Sequence, residues 1–250
     1  MSESVKKVVL VTGSATGIGR ECAVRFAKQG FDVVVNYSRS EAEARETLKL
    51  VEVAGARGLL IQCDVGDDAA VRGMFQTIDA KFARLDVLVN NAATTWFIDH
   101  KKLDELTEEK WDRILQVNLK GPFFCIRAAV PLLRKAGGGA VVSISSVAGL
   151  SGEGSSIAYA ASKGALNTMT KSLARSLGPD IRVNAVCPGP VDTRWLRAVM
   201  DEEELARRTA SYPLQRPAYP DDIADAVLYL ATATTLTTGQ CLVVDGGRTM

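Results

Sequence analysis

Val8-Val9-Leu10-Val11-Thr12-Gly13-Ser14-Ala15-Thr16-Gly17-Ile18-Gly19 is the stretch on which the fold is decided. Four apolar, mostly β-branched residues predict a short strand, and Thr12-Gly13 stops it. Residues 17–29 then predict a helix that Gly30 ends. Glycine reaches positive φ and lets backbone approach a phosphate closely. A helix N-terminus adds free N–H groups and the positive end of its dipole. Strand, glycine-rich turn and helix stand in the order that a dinucleotide site requires. A glycine turn alone is common in strand-to-helix connections, so its weight comes from the rest of the chain.

Beyond Gly30 the strand–helix unit recurs. Short apolar runs at 33–35, 59–63, 87–89, 140–144, 183–186 and 241–244 predict strands. Helical stretches at 40–54, 67–82, 108–133 and 158–177 fall between them. The runs are apolar throughout rather than alternating, which suits strands buried on both faces of a parallel sheet. Right-handed crossovers then place helices on both faces. The expected fold is α/β: one domain over 1–250, a doubly wound parallel sheet of about seven strands. The longest irregular stretch comes after Pro188. It carries Trp195, the acidic run 201–204 and prolines 213, 217 and 220. Long insertions in compact domains are usually functional, so 190–217 is expected to form a substrate lid.

Composition removes other classes. The 250 residues carry 30 Lys plus Arg against 29 Asp plus Glu, a net charge of +1. That balance argues against a nucleic-acid partner, which needs a concentrated basic surface. No apolar run approaches the ~18 residues of a membrane span, and 8–11 is too short for a signal peptide's apolar core. The five cysteines (22, 63, 125, 187 and 241) are scattered and form no C-x-x-C pair. They read as buried thiols in a reducing cytoplasm. His100 is the only histidine, so no metal site of the usual His/Cys spacing is expected. It lies in a polar run, Asp99-His100-Lys101-Lys102, and reads as a solvated loop residue.

The turn spacing T-G-x-x-x-G-x-G resembles that of the short-chain dehydrogenase/reductase family. Further matches occur in family order over nearly the whole chain: Asp64-Val65, Asn90-Asn91-Ala92-Ala93, Asn118, Ser146, Tyr159-Ala160-Ala161-Ser162-Lys163 and Pro188-Gly189. The 3-oxoacyl-(acyl-carrier-protein) reductases are the members it most resembles. The resemblance implies a Rossmann-type sheet. It sets Gly13, Thr16, Gly17, Ile18 and Gly19 against the pyrophosphate and adjoining ribose. Asp64 and Val65 would meet the adenine, and Asn90 and Ala92 the adenosine ribose. Pro188, Gly189, Val191 and Thr193 would hold the nicotinamide carboxamide, although Pro-Gly also reads as a plain turn. The family usually has Asn-Asn-Ala-Gly where this chain ends in Ala93. Aligned on Gly30 and 33–35, Tyr37 takes the position where NAD-specific members place an acid. Ser38 and Arg39 come next, and a guanidinium suits a 2′-phosphate. NADP(H) is therefore the expected cofactor, with NAD(H) as the alternative and a solvated Arg39 as the ordinary reading. Thr16 stands where NADP-preferring relatives often have a basic residue.

Tyr159 and Lys163 are four apart in a helical stretch and so share one face. A phenol of ordinary pKa ~10 is a poor acid at neutral pH, and a nearby ammonium should lower it. By the resemblance Tyr159 donates the proton, Ser146 holds the carbonyl oxygen, and Lys163 binds ribose and tunes Tyr159. Asn118 would hold a water linked to Lys163; its ordinary reading is a polar group satisfying buried backbone. Ser145 competes with Ser146 for its role, and family spacing selects Ser146. Tyr159 and Lys163 thus count among the cofactor-binding as well as the catalytic residues. Trp96, Phe97, Trp195 and Tyr212 are candidates for the substrate wall. The expected partner is a small carbonyl or alcohol substrate, with acyl carrier protein as a possible carrier. A sugar, steroid or small-alcohol dehydrogenase, an enoyl reductase and a non-catalytic nucleotide sensor are the alternatives. The resemblance also implies a homotetramer formed through the helices at 108–133 and 158–177.

Overall fold

The computed structural model describes residues 6–250; the expected domain begins at residue 1, so its first five positions lie outside the described residues. In chain order the first half runs β1 (Val8–Val11), α1 (Gly17–Lys28), β2 (Asp32–Tyr37), α2 (Glu41–Val53), β3 (Gly58–Gln62), α3 (Asp68–Phe82) and β4 (Val87–Asn90). The second runs α4 (Glu108–Leu115), α5 (Gly121–Lys135), β5 (Gly139–Ile144), α6 (Ala148–Ser151), α7 (Ile157–Leu177), β6 (Ile181–Pro188), α8 (Arg194–Arg197), α9 (Glu202–Thr209), α10 (Pro220–Leu228) and β7 (Cys241–Val244). The described strands form one sheet in the order β3-β2-β1-β4-β5-β6-β7. Every pairing is parallel.

The central strands are mostly apolar because both faces are covered, whereas the edge strands β3 and β7 are partly exposed. Val9, Val11, Val33 and Val35 meet Cys22, Phe26 and Ala44 of α1 and α2, together with Ile223 and Val227 of α10. Their neighbours Val8, Leu10 and Val34 point the other way, onto Val71 and Ile78 of α3 and Ile126 and Leu133 of α5. A strand's side chains alternate between faces, so one run of valines serves two cores. Burying each such side chain contributes about 1.5–3 kcal/mol against chain entropy.

Two expectations are corrected. The helix anticipated over 108–133 is broken by a π turn, Gln116–Lys120, between α4 and α5. Asn118 in that turn is turned inward: its Oδ1 accepts from Thr94 N–H (2.8 Å) and its Nδ2 donates to Thr94 O (2.9 Å). The stretch after Pro188 is also less irregular than its prolines suggest. Asp201 caps α9 by accepting from Glu204 N–H (2.8 Å). Acidic residues then occupy the first turn and Arg207 and Arg208 the last, which suits the helix dipole. Buried Leu205 and Thr209 anchor that helix.

Candidate active site

The strand order reverses between β1 and β4, where an open α/β sheet leaves a crevice. A cleft of about 940 Å³ lies there, bounded on one side by the glycine turn and on the other by α8 and α9. The turn is laced to its neighbours. Thr12 Oγ1 accepts from the N–H groups of Asn91 and Ala92 (both 3.0 Å). Asn91 Nδ2 donates back to Thr12 O (2.9 Å) and Gly13 O (3.0 Å). Asn36 accepts from Gly13 N–H (3.0 Å) and donates to Cys63 O (3.1 Å). Gly13 is left-handed (φ +61°), and a Cβ there would stand 2.8 Å from Ala92 Cα. Thr16 precedes α1 in an extended conformation and makes no side-chain cap. The first N–H groups of α1 therefore keep no side-chain partner at the cleft. A glycine cradle under a bare helix N-terminus fits a pyrophosphate.

At the other end of the cleft, β5 ends at Ile144 and delivers two serines. Ser145 is buried and gives its hydroxyl to Lys163 O (3.2 Å). Ser146 lines the cleft beside Tyr159 and accepts from Ala148 N–H (3.1 Å). Ser145 is thus occupied by backbone, and Ser146, the serine that family spacing selects, keeps its hydroxyl at the cleft. Ser156 caps α7 by accepting from Tyr159 N–H (3.2 Å), so Tyr159 sits in the first turn. Lys163, one turn later, has 2% exposure and donates through Nζ to Ile144 O (2.7 Å). Its Nζ lies 5.5 Å from the Tyr159 ring centre. Phenol, serine hydroxyl and lysine amine thus converge on the cleft that the glycine turn bounds.

Residues 13–249 match a family model described as enoyl-(acyl carrier protein) reductase. The chain belongs to the short-chain dehydrogenase/reductase family. It is an NAD(P)-dependent oxidoreductase by that membership. A Streptomyces violaceoruber protein named as ketoacyl reductase 2 of the granaticin polyketide synthase is 43% identical over 243 residues, covering 96% of this chain and 95% of the relative. A Staphylococcus aureus 3-oxoacyl-(acyl-carrier-protein) reductase is 37% identical over 246 residues, covering 98% of each chain. A crystal structure from Burkholderia xenovorans, described as of this family, superposes with a TM-score of 0.92 at 41% identity over 98% of each chain.

Most of the residues singled out from the sequence of this short-chain dehydrogenase/reductase reach the cleft. Gly13, Thr16, Gly17 and Ile18 line it beside Asp64, Val65 and Ala92, and Ser38 and Arg39 stand exposed at its rim. Pro188, Gly189, Val191 and Thr193 also line it, Thr193 beside Gly17. Three others do not line it. Gly19 is buried beneath the turn, where a Cβ would stand 2.5 Å from Asn91 Nδ2 and 2.6 Å from Gly13 O. Asn90 is buried with an unpartnered Nδ2, and its neighbour Asn91 faces the cleft instead. Asn118 is buried against Thr94 and also donates to Ser162 Oγ (3.2 Å); the ordinary reading of it is what the geometry carries. Of the aromatic candidates, Phe97, Trp195 and Tyr212 line the cleft and Trp96 does not. Tyr37 turns into the core, which leaves Asn36, Ser38 and Arg39 as the residues at the end of β2 that reach the cleft. His100 is partly buried with a shielded, unpartnered Nε2, unlike the solvated residue expected, and it lies outside the cleft lining.

Sequence reasoning missed Asn36 and the role of Asn91, whose only signal was polarity at strand ends. It also missed Arg113, a cleft residue on α4 paired with Asp64 at 2.6 Å. Burial alone would raise the Asp64 carboxyl. The Gly66 N–H and the Arg113 guanidinium, with Arg39 further off, hold it below the usual carboxylate range. The expected acid–base tuning is corrected as well. Burial pushes the Tyr159 phenol up to about 12, against the lowering effect of the Ser146 hydrogen bond. Burial likewise pushes the Lys163 amine down to about 8. The amine is spent on a carbonyl oxygen and lies beside the ring, so among the protein's own groups desolvation outweighs attraction.

Proposed function

We propose that this protein is an NADPH-dependent carbonyl reductase acting on 3-oxoacyl thioesters. The observation that carries the reading is that the Ser146 hydroxyl, the Tyr159 phenol and the Lys163 amine all line the cleft that the glycine turn bounds. A bound nicotinamide nucleotide supplies the hydride. The Ser146 hydroxyl donates a hydrogen bond to the substrate's carbonyl oxygen and orients it. As negative charge develops on that oxygen, Tyr159 gives it the phenol proton and becomes a phenolate. Lys163, fixed by Ile144 O, has further donors for the ribose hydroxyls, and its charged form stabilises the phenolate. The glycine turn and the α1 N-terminus receive the pyrophosphate. Two hydroxyls directed at one oxygen favour reduction of C=O over C=C, which ranks the enoyl reaction lower.

Arg39 and Ser38 at the rim favour a 2′-phosphate, since no carboxylate stands at the end of β2 to repel it. The segment 190–217 acts as the lid over the substrate half. The tetramer forms through the outer faces of α4, α5 and α7, where Phe123 is exposed and Arg127 stacks on Phe123 and Phe124. The protein works in the cytoplasm, which suits cysteines that are all free thiols among the described residues. Among the described residues no helix is long and apolar enough to cross a membrane.

The test is NADPH consumption with acetoacetyl thioesters, each bound to coenzyme A or acyl carrier protein. Turnover is expected, with kcat/KM for NADPH about tenfold or more above that for NADH, and Arg39→Asp is expected to reverse the preference. A wild-type preference for NADH overturns the cofactor assignment. Absence of turnover with every ketone returns the chain to a nucleotide-binding role.

A further inference from the structure

α8 is four residues long, and its N-terminal end is tied to a neighbouring element. Thr193 before it abuts Gly17 of the nucleotide turn, where a Cβ would lie 3.4 Å from Thr193 Cγ2. Arg194 pairs with Glu43 of α2 at 2.6 Å, and Arg197 with Asp192 at 2.6 Å. Between these tethers Trp195 projects toward the catalytic phenol. Its ring meets Tyr159 edge to face, with centroids 6.3 Å apart and planes at 70°. Trp195 nevertheless remains 41% exposed, and two other large apolar residues of the same cleft behave alike: Phe97 at 44% and Val199 at 48%. Apolar side chains left in contact with water in the cleft of a reacting group are a surface for a ligand. Its occupant is the substrate, because Tyr159 and Ser146 line the same cleft and Tyr159 meets the Trp195 ring.

Resting on the reductase reading, we propose that Trp195 is a specificity-determining residue: with Phe97 and Val199 it forms a platform for an unbranched alkyl chain attached to the reacting carbonyl. The side chains of Trp195, Phe97 and Val199 offer one polar hydrogen between them, the indole N–H. A polyol such as a sugar would lose hydration there without replacement, whereas each methylene laid on the platform leaves water for carbon. Arg194 ties α8 to α2 and Thr193 stands beside the nucleotide turn, which places the platform next to the phenol.

The experiment compares 3-oxobutanoyl and 3-oxooctanoyl thioesters of N-acetylcysteamine with NADPH. Wild-type protein is expected to favour the longer chain about tenfold or more in kcat/KM, mostly through KM, as a few buried methylenes require. Trp195→Ala is expected to bring that ratio close to one, and Trp195→Phe to restore most of it. In parallel, calorimetry measures binding of the non-reducible octanoyl and acetyl thioesters. Tighter octanoyl binding that depends on Trp195 is expected there too. Equal kcat/KM for both ketones in the wild type, or a ratio that Trp195→Ala leaves in place, overturns the platform while the reductase stands. Chain-length-dependent binding without any turnover supports the platform and defeats the reductase reading. Binding that ignores chain length in a protein without turnover overturns both.

Discussion

Lys163 shows how a buried amine is kept without a carboxylate partner. Its Nζ has one acceptor, Ile144 O, and desolvation moves its pKa from 10.5 to about 8. The unfolded chain therefore binds more protons than the folded one between about pH 8 and 10.5, so this group's contribution to stability rises with pH across that window. Below pH 8 the folded protein carries the full cost of a buried charge. Urea unfolding of wild type and Lys163→Met at several pH values checks this: their difference in stability is expected to move in favour of the wild type from pH 8 to 10. A pH-independent difference contradicts it. Tyr159 shifts the other way, from 10 to about 12, so across that range the folded state holds its proton longer and stability falls. Tyr159→Phe is expected to lower kcat by a factor of about a hundred or more while nucleotide affinity is largely kept, because general-acid transfer contributes that much. Stopped-flow turnover with fluorescence titration of NADPH separates the two effects.

At the scale of elements, the nucleotide turn depends on the close approach of β1, α1 and the end of β4. Gly19 decides that approach, since a Cβ would meet the Gly13 carbonyl at 2.6 Å and Ser14 Cα at 2.9 Å. Backbone atoms cannot yield as a side chain can, so Gly19→Ala is expected to destabilise the fold by about 1–3 kcal/mol and to weaken NADPH binding. Gly73 is the control. It lies inside α3, and a methyl added there would meet nothing within 4 Å, so Gly73→Ala is expected to stabilise by about 0.5–1 kcal/mol. Chemical denaturation of both variants tests the pair. The turn itself was legible in sequence because glycine spacing and helix onset are local. The division of labour among its glycines was not, since it depends on Asn91, which is far away in the chain. The π turn was hidden for the same reason. Nothing in 116–120 announces it, and the hydrogen bonds that hold it run from Asn118 to the Thr94 backbone across the fold.

For the whole molecule, the apolar strands and covered faces account for one sheet with two cores, and the proposed tetramer would use the outer face of α5. Phe123 is 39% exposed and carries the Arg127 guanidinium 5.7 Å from its ring centre. Sedimentation velocity at micromolar concentration is expected to show a tetramer, and Phe123→Glu to shift it toward smaller species, because a carboxylate buried without a partner at an apolar contact is costly. A monomer in the wild type contradicts the assembly.

The amino-acid order determined, by itself, the alternation of strands and helices, the glycine turn and the Tyr159–Lys163 pairing. These arise from periodicity, local backbone preference and one helical turn of spacing. The tertiary structure alone decided which asparagine faces the cleft, and that burial rather than a neighbouring charge governs the tyrosine and the lysine. Each of those outcomes depends on atoms brought together from distant parts of the chain and on how much water they lose, and neither quantity is written in any local stretch of sequence.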